Sequence, residues 1–321
     1  MPRVSLALPV YNGERFITDA ITSILGQSFA DFELIITDNA STDGTEEICR
    51  RFARSDARVR YFRNERNLGA ADNFNWGFRL ASGELFKWCA HDDRISANYL
   101  DACVTALADN PDAVLAHGRQ CGIDAEGKET GWTSGDLRDI NGVSDAKDRF
   151  KLVFATQGFD VAMFGVIRSA ALAKTDLHQK YYGSDIALLS ELALLGSFVG
   201  AEGAAFYNRD HPDRSVNATD KRARQFWHDT NAKRFDGLEH IRLLRHLVAI
   251  SYKQRAKAPM SSTAVALMLW AASPRQLARY GLEVVGLVSP QVQSRLRTGG
   301  QGMLRAISRA RLRDVAESRD G

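Results

Sequence analysis

Over its first 120 residues the chain alternates short apolar runs with segments of helical periodicity, and nearly every apolar run stops at a polar cluster. Residues 4–8 form an apolar run that ends at Pro9, after which Phe16, Ile17, Ala20, Ile21, Ile24 and Leu25 recur at helical spacing. Residues 32–37, 59–62, 85–89 and 114–117 read as four further strands, with helices over 73–81 and from about 97 to 108. A helix also opens at Asp43 as N-cap, with Glu46 three residues on in the capping-box position. Strands separated in this way need crossover connections, so the spacing predicts a mostly parallel, right-handed sheet with helices on both faces. Ligands of such sheets lie beyond the carboxyl ends of the strands. The residues at those ends are Tyr11-Asn12, Asp38-Asn39, Asn67-Leu68-Gly69 and His91-Asp92-Asp93.

Beyond this region, residues 124–148 are rich in Gly, Asp and Thr and read as loop, 161–168 as a strand, 185–195 as a helix and 198–208 as one or two strands. From about Gln225 the pattern is helical to the end. Charge divides the chain in the same place: residues 221–321 hold 19 basic and 7 acidic residues, net +12, leaving 23 and 32, net −9, in the first 220. We therefore expect three parts, 1–120, 121–220 and a basic helical extension over 221–321. Cys49, Cys89, Cys103 and Cys121 lack metal-ligand spacing, and Cys89 and Cys103 sit in apolar runs, which favours reduced thiols and a cytoplasmic location. No signal-peptide pattern opens the chain, and no apolar run reaches the roughly 20 residues needed to span a bilayer.

Four motifs occur in order. Leu8-Pro9-Val10-Tyr11-Asn12-Gly13 resembles the opening motif of family-2 glycosyltransferases, and Thr37-Asp38-Asn39-Ala40-Ser41-Thr42-Asp43-Gly44-Thr45 their second signature. Asn67-Leu68-Gly69 is similar to their third, and the stretch from Ser82 to Ala90-His91-Asp92-Asp93 to their metal motif. The likeness is close over 3–115, looser over 155–215 and absent beyond. It implies an α/β fold of the Rossmann-like GT-A type with a helical C-terminal extension. It also implies inverting transfer of a sugar from a nucleoside diphosphate, most simply a uridine one, to a saccharide or lipid-linked acceptor, with Mn²⁺ or Mg²⁺. Nucleic acid is not among the partners expected.

The resemblance places Pro9, Tyr11, Asn12, Glu14, Asp38, Asn67, Gly69 and Asp92 at the donor nucleotide. Asp38 follows an apolar strand, where its carboxylate can accept the N3–H of uracil or, alternatively, close an Asx turn. Asp92 and Asp93 are like charges side by side, unfavourable unless solvated or neutralised by a cation. By resemblance Asp93 holds the metal and Asp92 approaches the ribose or a metal-bound water; the competing reading makes Asp92 a helix cap. Family members often carry a third acid two positions before Asp92, where this chain has Ala90. His211, after the last strand, is a metal or phosphate contact or a plain loop histidine, and His91 reads as structural. Inversion needs a general base to take the acceptor hydroxyl proton. By resemblance it is Asp185, opening a helix where Ser184 replaces a usual acid; a stabilising charge at the helix N-terminus is the other reading. Glu191 lies off that face.

Other classes fit less well. A dinucleotide-binding oxidoreductase needs G-x-G-x-x-G after the first strand, and the Gly-rich, basic first loop of a nucleotidyltransferase is also missing. A processive synthase would need membrane spans and a Gln-x-x-Arg-Trp signature. A nucleotide-binding scaffold without turnover stays open, given Ala90 and Ser184. The end of the chain interleaves Arg295, Arg297, Arg305, Arg309, Arg311 and Arg313 with Met303, Leu304 and Ile307. That is the pattern of a peripheral helix on an anionic membrane, or of a helix packed on this domain or in a homodimer.

Overall fold

The computed structural model describes residues 1–133, 140–155, 160–214, 221–231 and 237–288. The first part runs β1 (Val4–Val10), α1 (Ile17–Leu25), β2 (Phe32–Asp38), α2 (Thr45–Ser55), β3 (Val59–Arg63), α3 (Ala70–Leu80), β4 (Leu85–Trp88), β5 (Arg94–Ile95), α4 (Tyr99–Asp109) and β6 (Ala113–Ile123). There follow β7 (Glu129–Thr133), α5 (Ala146–Ala155), a 3₁₀ turn at Asp160–Phe164, β8 (Val166–Arg168), α6 (Ser169–Leu172), α7 (Ser184–Leu195) and β9 (Ser197–Arg209). The C-terminal helices are α8 (Lys221–His228), α9 (Glu239–Lys253), α10 (Met260–Ala271) and α11 (Pro274–Val288).

The strands form one sheet in the order β3-β2-β1-β4-β8-β6-β9-β5, with β7 paired to β6. β3, β2, β1 and β4 are parallel, with β1 and β2 in register from Val4 opposite Phe32 to Val10 opposite Asp38. β8 runs antiparallel to β4 and β6, β6 and β9 are parallel, and β5 runs antiparallel to β9. Among the described residues, six of the nine strands therefore point the same way, as the crossover spacing requires. β1 and β2 are buried along their whole length, because central parallel strands are covered on both faces.

Three local expectations change. Residues 124–148 are not all loop: β6 turns back as β7, and α5 opens at Ala146. The apolar run over 161–168 is a 3₁₀ turn followed by only three strand residues. The N-cap of α2 is Gly44 rather than Asp43, although Asp43 accepts the N–H of Thr45 at 3.1 Å, and Glu46 does not close a capping box; it pairs with Arg50 and Arg63 instead.

The C-terminal helices are built into the molecule as far as Val288. Leu243, Leu247 and Ile250 of α9 and Ala266 and Leu267 of α10 share a core with Phe150 and Phe154 of α5 and Ala187 and Leu194 of α7. Buried Glu191 of α7 binds Lys253 Nζ at 3.0 Å and Gln254 Nε2 at 2.8 Å, tying α9 to α7. Glu283 of α11 accepts the backbone N–H groups of His240 and Ile241, donors that the first turn of α9 cannot satisfy within the helix. The basic tail over 291–321 lies outside the described residues.

Candidate active site

The loops after β1 and β2 are laced together. Asn12, at φ +52°, donates its N–H to Ser41 Oγ and accepts the Thr42 N–H on Oδ1; asparagine tolerates this left-handed conformation. Glu14 accepts the Gly44 N–H and donates its own N–H to Asp43, and Pro9 stands opposite Thr37 in the register of β1 and β2. Tyr11 is left 44% exposed at the end of β1, an aromatic face open to a ligand. Asp38 is fully buried. Its Oδ1 accepts the N–H of Ser41, three residues on, at 2.8 Å, and its Oδ2 accepts the Tyr61 hydroxyl at 2.6 Å with Arg63 Nε 3.6 Å away.

The third motif is an asparagine network. Asn39 Nδ2 donates to Asn67 Oδ1, and Asn39 Oδ1 accepts from Leu68 N–H and Asn64 Nδ2. Gly69 opens α3 at φ +88°, and a Cβ there would lie 2.6 Å from the backbone oxygen of His228 at the end of α8. Thr230 also donates its hydroxyl to the Asn67 oxygen at 2.8 Å, so α8 rests on the Asn67-Leu68-Gly69 turn. Gly69→Ala is expected to lower stability by at least about 1–2 kcal/mol, the cost of a side chain in the left-handed region, before any clash is counted. An unchanged urea midpoint would show that the turn accommodates a side chain at Gly69, with neither the backbone cost nor the contact with α8.

Asp92 and Asp93 sit between β4 and β5, strands separated in the sheet by β8, β6 and β9. Asp93 is 7% exposed; it accepts the Arg209 N–H at 2.8 Å and the side chain of Asn208 at 3.2 Å. Burial, reinforced by the charge of Asp92, pushes the Asp93 carboxyl up to about 7. Burial acts on Asp92 too, but the neighbouring charge of His91 and a hydrogen bond with His211 outweigh it and hold Asp92 below the usual carboxylate value. His211 Nε2 lies 2.9 Å from Asp92 Oδ2, with its ring against Phe16 of α1. His211 and Asp92 thus come together from sequence-distant segments, with Asp93 next in the chain, and oxygen and nitrogen donors of this kind suit a hard or borderline divalent ion. The three do not each bring a donor atom within 4.8 Å of the others, since the Asp93 carboxylate is turned to Arg209 and Asn208, but a like-charged pair with one member buried is what such an ion would neutralise. A second cluster, Glu239, His240 and Glu283, brings its donor atoms within 4.8 Å of one another, but Arg224 binds Glu239 and Glu283 caps α9. That is helix architecture.

Asp185 stands in the first turn of α7, half-buried, after Gly183 at φ +92°. The segment before it is held from α9: the Tyr181 hydroxyl and His246 Nδ1 lie 2.7 Å apart, and His246 Nε2 lies 3.2 Å from Asp176.

Two residues passed over in the sequence organise this site. Arg209, the last residue of β9, is buried; its Nε donates to the Asp92 carbonyl at 2.7 Å and its Nη2 to Asp19 at 2.6 Å, fixing the backbone between the two acids. An arginine closing a strand beside Asn208 and His211 is visible in the sequence; its burial is not. Lys87, in the middle of β4, is buried against the rings of Tyr99 and Phe206 and donates to the Phe164 carbonyl. Nothing in an alternating strand marks it as interior.

The sequence pattern of the family described as Glycosyl transferase family 2 matches residues 5–174. A GalNAc(5)-diNAcBac-PP-undecaprenol beta-1,3-glucosyltransferase of Campylobacter jejuni is 28% identical over 200 residues, 62% of either chain. A glycosyltransferase of Haemophilus influenzae is 34% identical over 129 residues, 40% of this chain and 51% of its own. The chain therefore spans less than two thirds of either relative. Among solved structures, Staphylococcus aureus TarS 1-349 in complex with UDP superposes with a TM-score of 0.54 at 17% identity, over 90% of this chain and 92% of its own. The mannosyltransferase PcManGT of Pyrobaculum calidifontis, solved with GDP-Man and Mn²⁺, gives 0.51 at 16% identity, over 90% and 88%. The shared architecture is the GT-A fold that the motifs imply.

Proposed function

The chain belongs to glycosyl transferase family 2, and from that premise we propose that it moves a sugar from a nucleoside diphosphate to a hydroxyl of a saccharide or lipid-linked acceptor, with inversion and with a divalent metal. The observation that carries this reading is the pairing of Asp92 with His211 beside buried Asp93, at the same end of the sheet as Tyr11 and Asp38. UDP is the carrier of choice, in keeping with the TarS complexes with UDP and UDP-GlcNAc. The name of the Campylobacter relative supports a lipid-linked acceptor.

In this reading Tyr11 stacks on the base, while Asp38, fully buried and engaged by Ser41 and Tyr61, holds the loop beneath it and meets a base N–H only when the Tyr61 hydroxyl gives way. Asp93, with Asp92 and His211, holds Mn²⁺ or Mg²⁺, which when bound neutralises charge on the diphosphate. Asn12, Glu14, Asn67 and Gly69 shape the loops around the nucleotide through the hydrogen bonds that lace them. Asp185 takes the proton of the acceptor hydroxyl as its oxygen bonds to the anomeric carbon; the bond to the diphosphate breaks on the opposite face, and the configuration inverts.

The test is a thermal-shift screen of UDP, GDP and dTDP with and without Mn²⁺. A ligand at a hundred times its dissociation constant stabilises the folded state by about 2.7 kcal/mol. UDP with Mn²⁺ should give the largest shift, and no shift with any diphosphate would overturn the reading.

A further inference from the structure

α11 is turned inside out for a helix that meets only water. It buries Gln276, 4% exposed, and Glu283, 1% exposed, while Leu277 at 56%, Val284 at 51% and Leu287 at 56% face outward. A surface helix ordinarily does the reverse. The orientation is fixed rather than loose. Glu283 accepts the His240 and Ile241 N–H groups and lies 2.7 Å from the His240 ring, so turning α11 to bury its apolar side would uncap α9.

α10, the helix before it, also exposes an apolar stripe. Val265, Met268 and Leu269, at i, i+3 and i+4, are 50%, 62% and 70% exposed, and residues 258–274 carry no charge. Basic residues bound this stretch: Arg255 and Lys257 before it and Arg275 after it are all exposed. The 33 residues after α11 add seven arginines against three acids. At 12 and 15 residues, neither helix is long enough to cross a bilayer, and among the described residues no helix is.

We propose that the outer face of α10 and α11 docks in the plane of an anionic bilayer, its apolar side chains at the acyl boundary and the flanking basic residues among the phosphates. Charge selects the occupant. A second copy would bring two segments of net +12 together, whereas an anionic surface complements them.

The test is flotation of the full chain with vesicles of phosphatidylcholine, with and without phosphatidylglycerol. Binding should require the anionic lipid and fall at least about tenfold as salt is raised until the screening length drops to about 3 Å. Met268→Glu with Leu277→Glu should cost at least about tenfold in partitioning, with the melting temperature unchanged, because both side chains already face solvent. If that double variant melts early, Leu269→Glu, at the most exposed of these positions, replaces it. The proposal is overturned if the full chain ignores anionic vesicles at low ionic strength, or if the variants float as well as the parent. It is equally overturned if light scattering shows a dimer that the variants dissolve while no vesicle is bound.

Discussion

Asp93→Asn is expected to lose at least about a thousandfold in transfer rate and all of the Mn²⁺-dependent stabilisation by UDP, while the fold survives or gains. Metal neutralisation of a departing diphosphate is worth several kcal/mol, and each 1.36 kcal/mol is tenfold in rate. Asparagine keeps Oδ1 for the Arg209 N–H and gives up only the longer contact of Asn208 with Oδ2. The stability effect has a definite sign. The Asp93 pKa is raised in the folded state, by burial first and by Asp92 second, so the native protein keeps a proton that the unfolded chain has released. Metal-free wild type should therefore lose stability as pH climbs from the ordinary carboxylate value of 3.8 toward about 7. The variant lacks that contribution, so its melting curve should flatten over this window, and Mn²⁺ should restore wild type but not the variant. Full activity of the variant, or of wild type in excess chelator, would remove the metal from the mechanism.

What the sequence made legible was whatever depended on local periodicity. β1, β2, β3, β4 and the helices between them fall within a few residues of expectation, because short apolar runs and helical spacing are set within a dozen neighbours. The strand-end rule then singles out Tyr11, Asp38 and the Asp92-Asp93 pair, and the structure does place them at or beyond the carboxyl ends of β1, β2 and β4. Illegible were the features decided by distant partners. The strand read over 161–168 shrinks to the three residues of β8, and nothing in it announces an antiparallel place between β4 and β6. Arg209 is buried because Asp19, the Asp92 carbonyl and Ala125 happen to surround it, and those come from segments up to 190 positions away. Asp38 shows the mixed case: its place after β2 was predictable, whereas the Tyr61 hydroxyl that occupies one of its oxygens came from the register of β3. Helical amphipathicity, the most dependable of local signals, misleads at α11, where the polar side is inside because a neighbouring helix end needs a cap.

Asp185→Asn should lower kcat at least about a hundredfold and leave the binding of UDP with Mn²⁺ unchanged, since removing a general base typically costs about 10²–10⁴ in rate. The substitution separates the two roles that Asp185 can have. As a charge in the first turn of α7 it contributes about 0.3–1 kcal/mol to the helix, so Asn in a merely structural position would shift the melting temperature slightly and spare turnover. As the base it must accept a proton, which Asn cannot do at any pH. The rate of the variant should also lose the acidic limb of the wild-type profile, a signature that a packing defect would not erase. Glu191 is not a substitute base, because its buried carboxylate is already bound to Lys253, Gln254 and the Asp176 N–H. An unchanged kcat in Asp185→Asn would return Asp185 to the helix and leave the acceptor proton to a group elsewhere. A fall in kcat with the acidic limb intact would mean that the carboxylate positions the acceptor rather than deprotonating it.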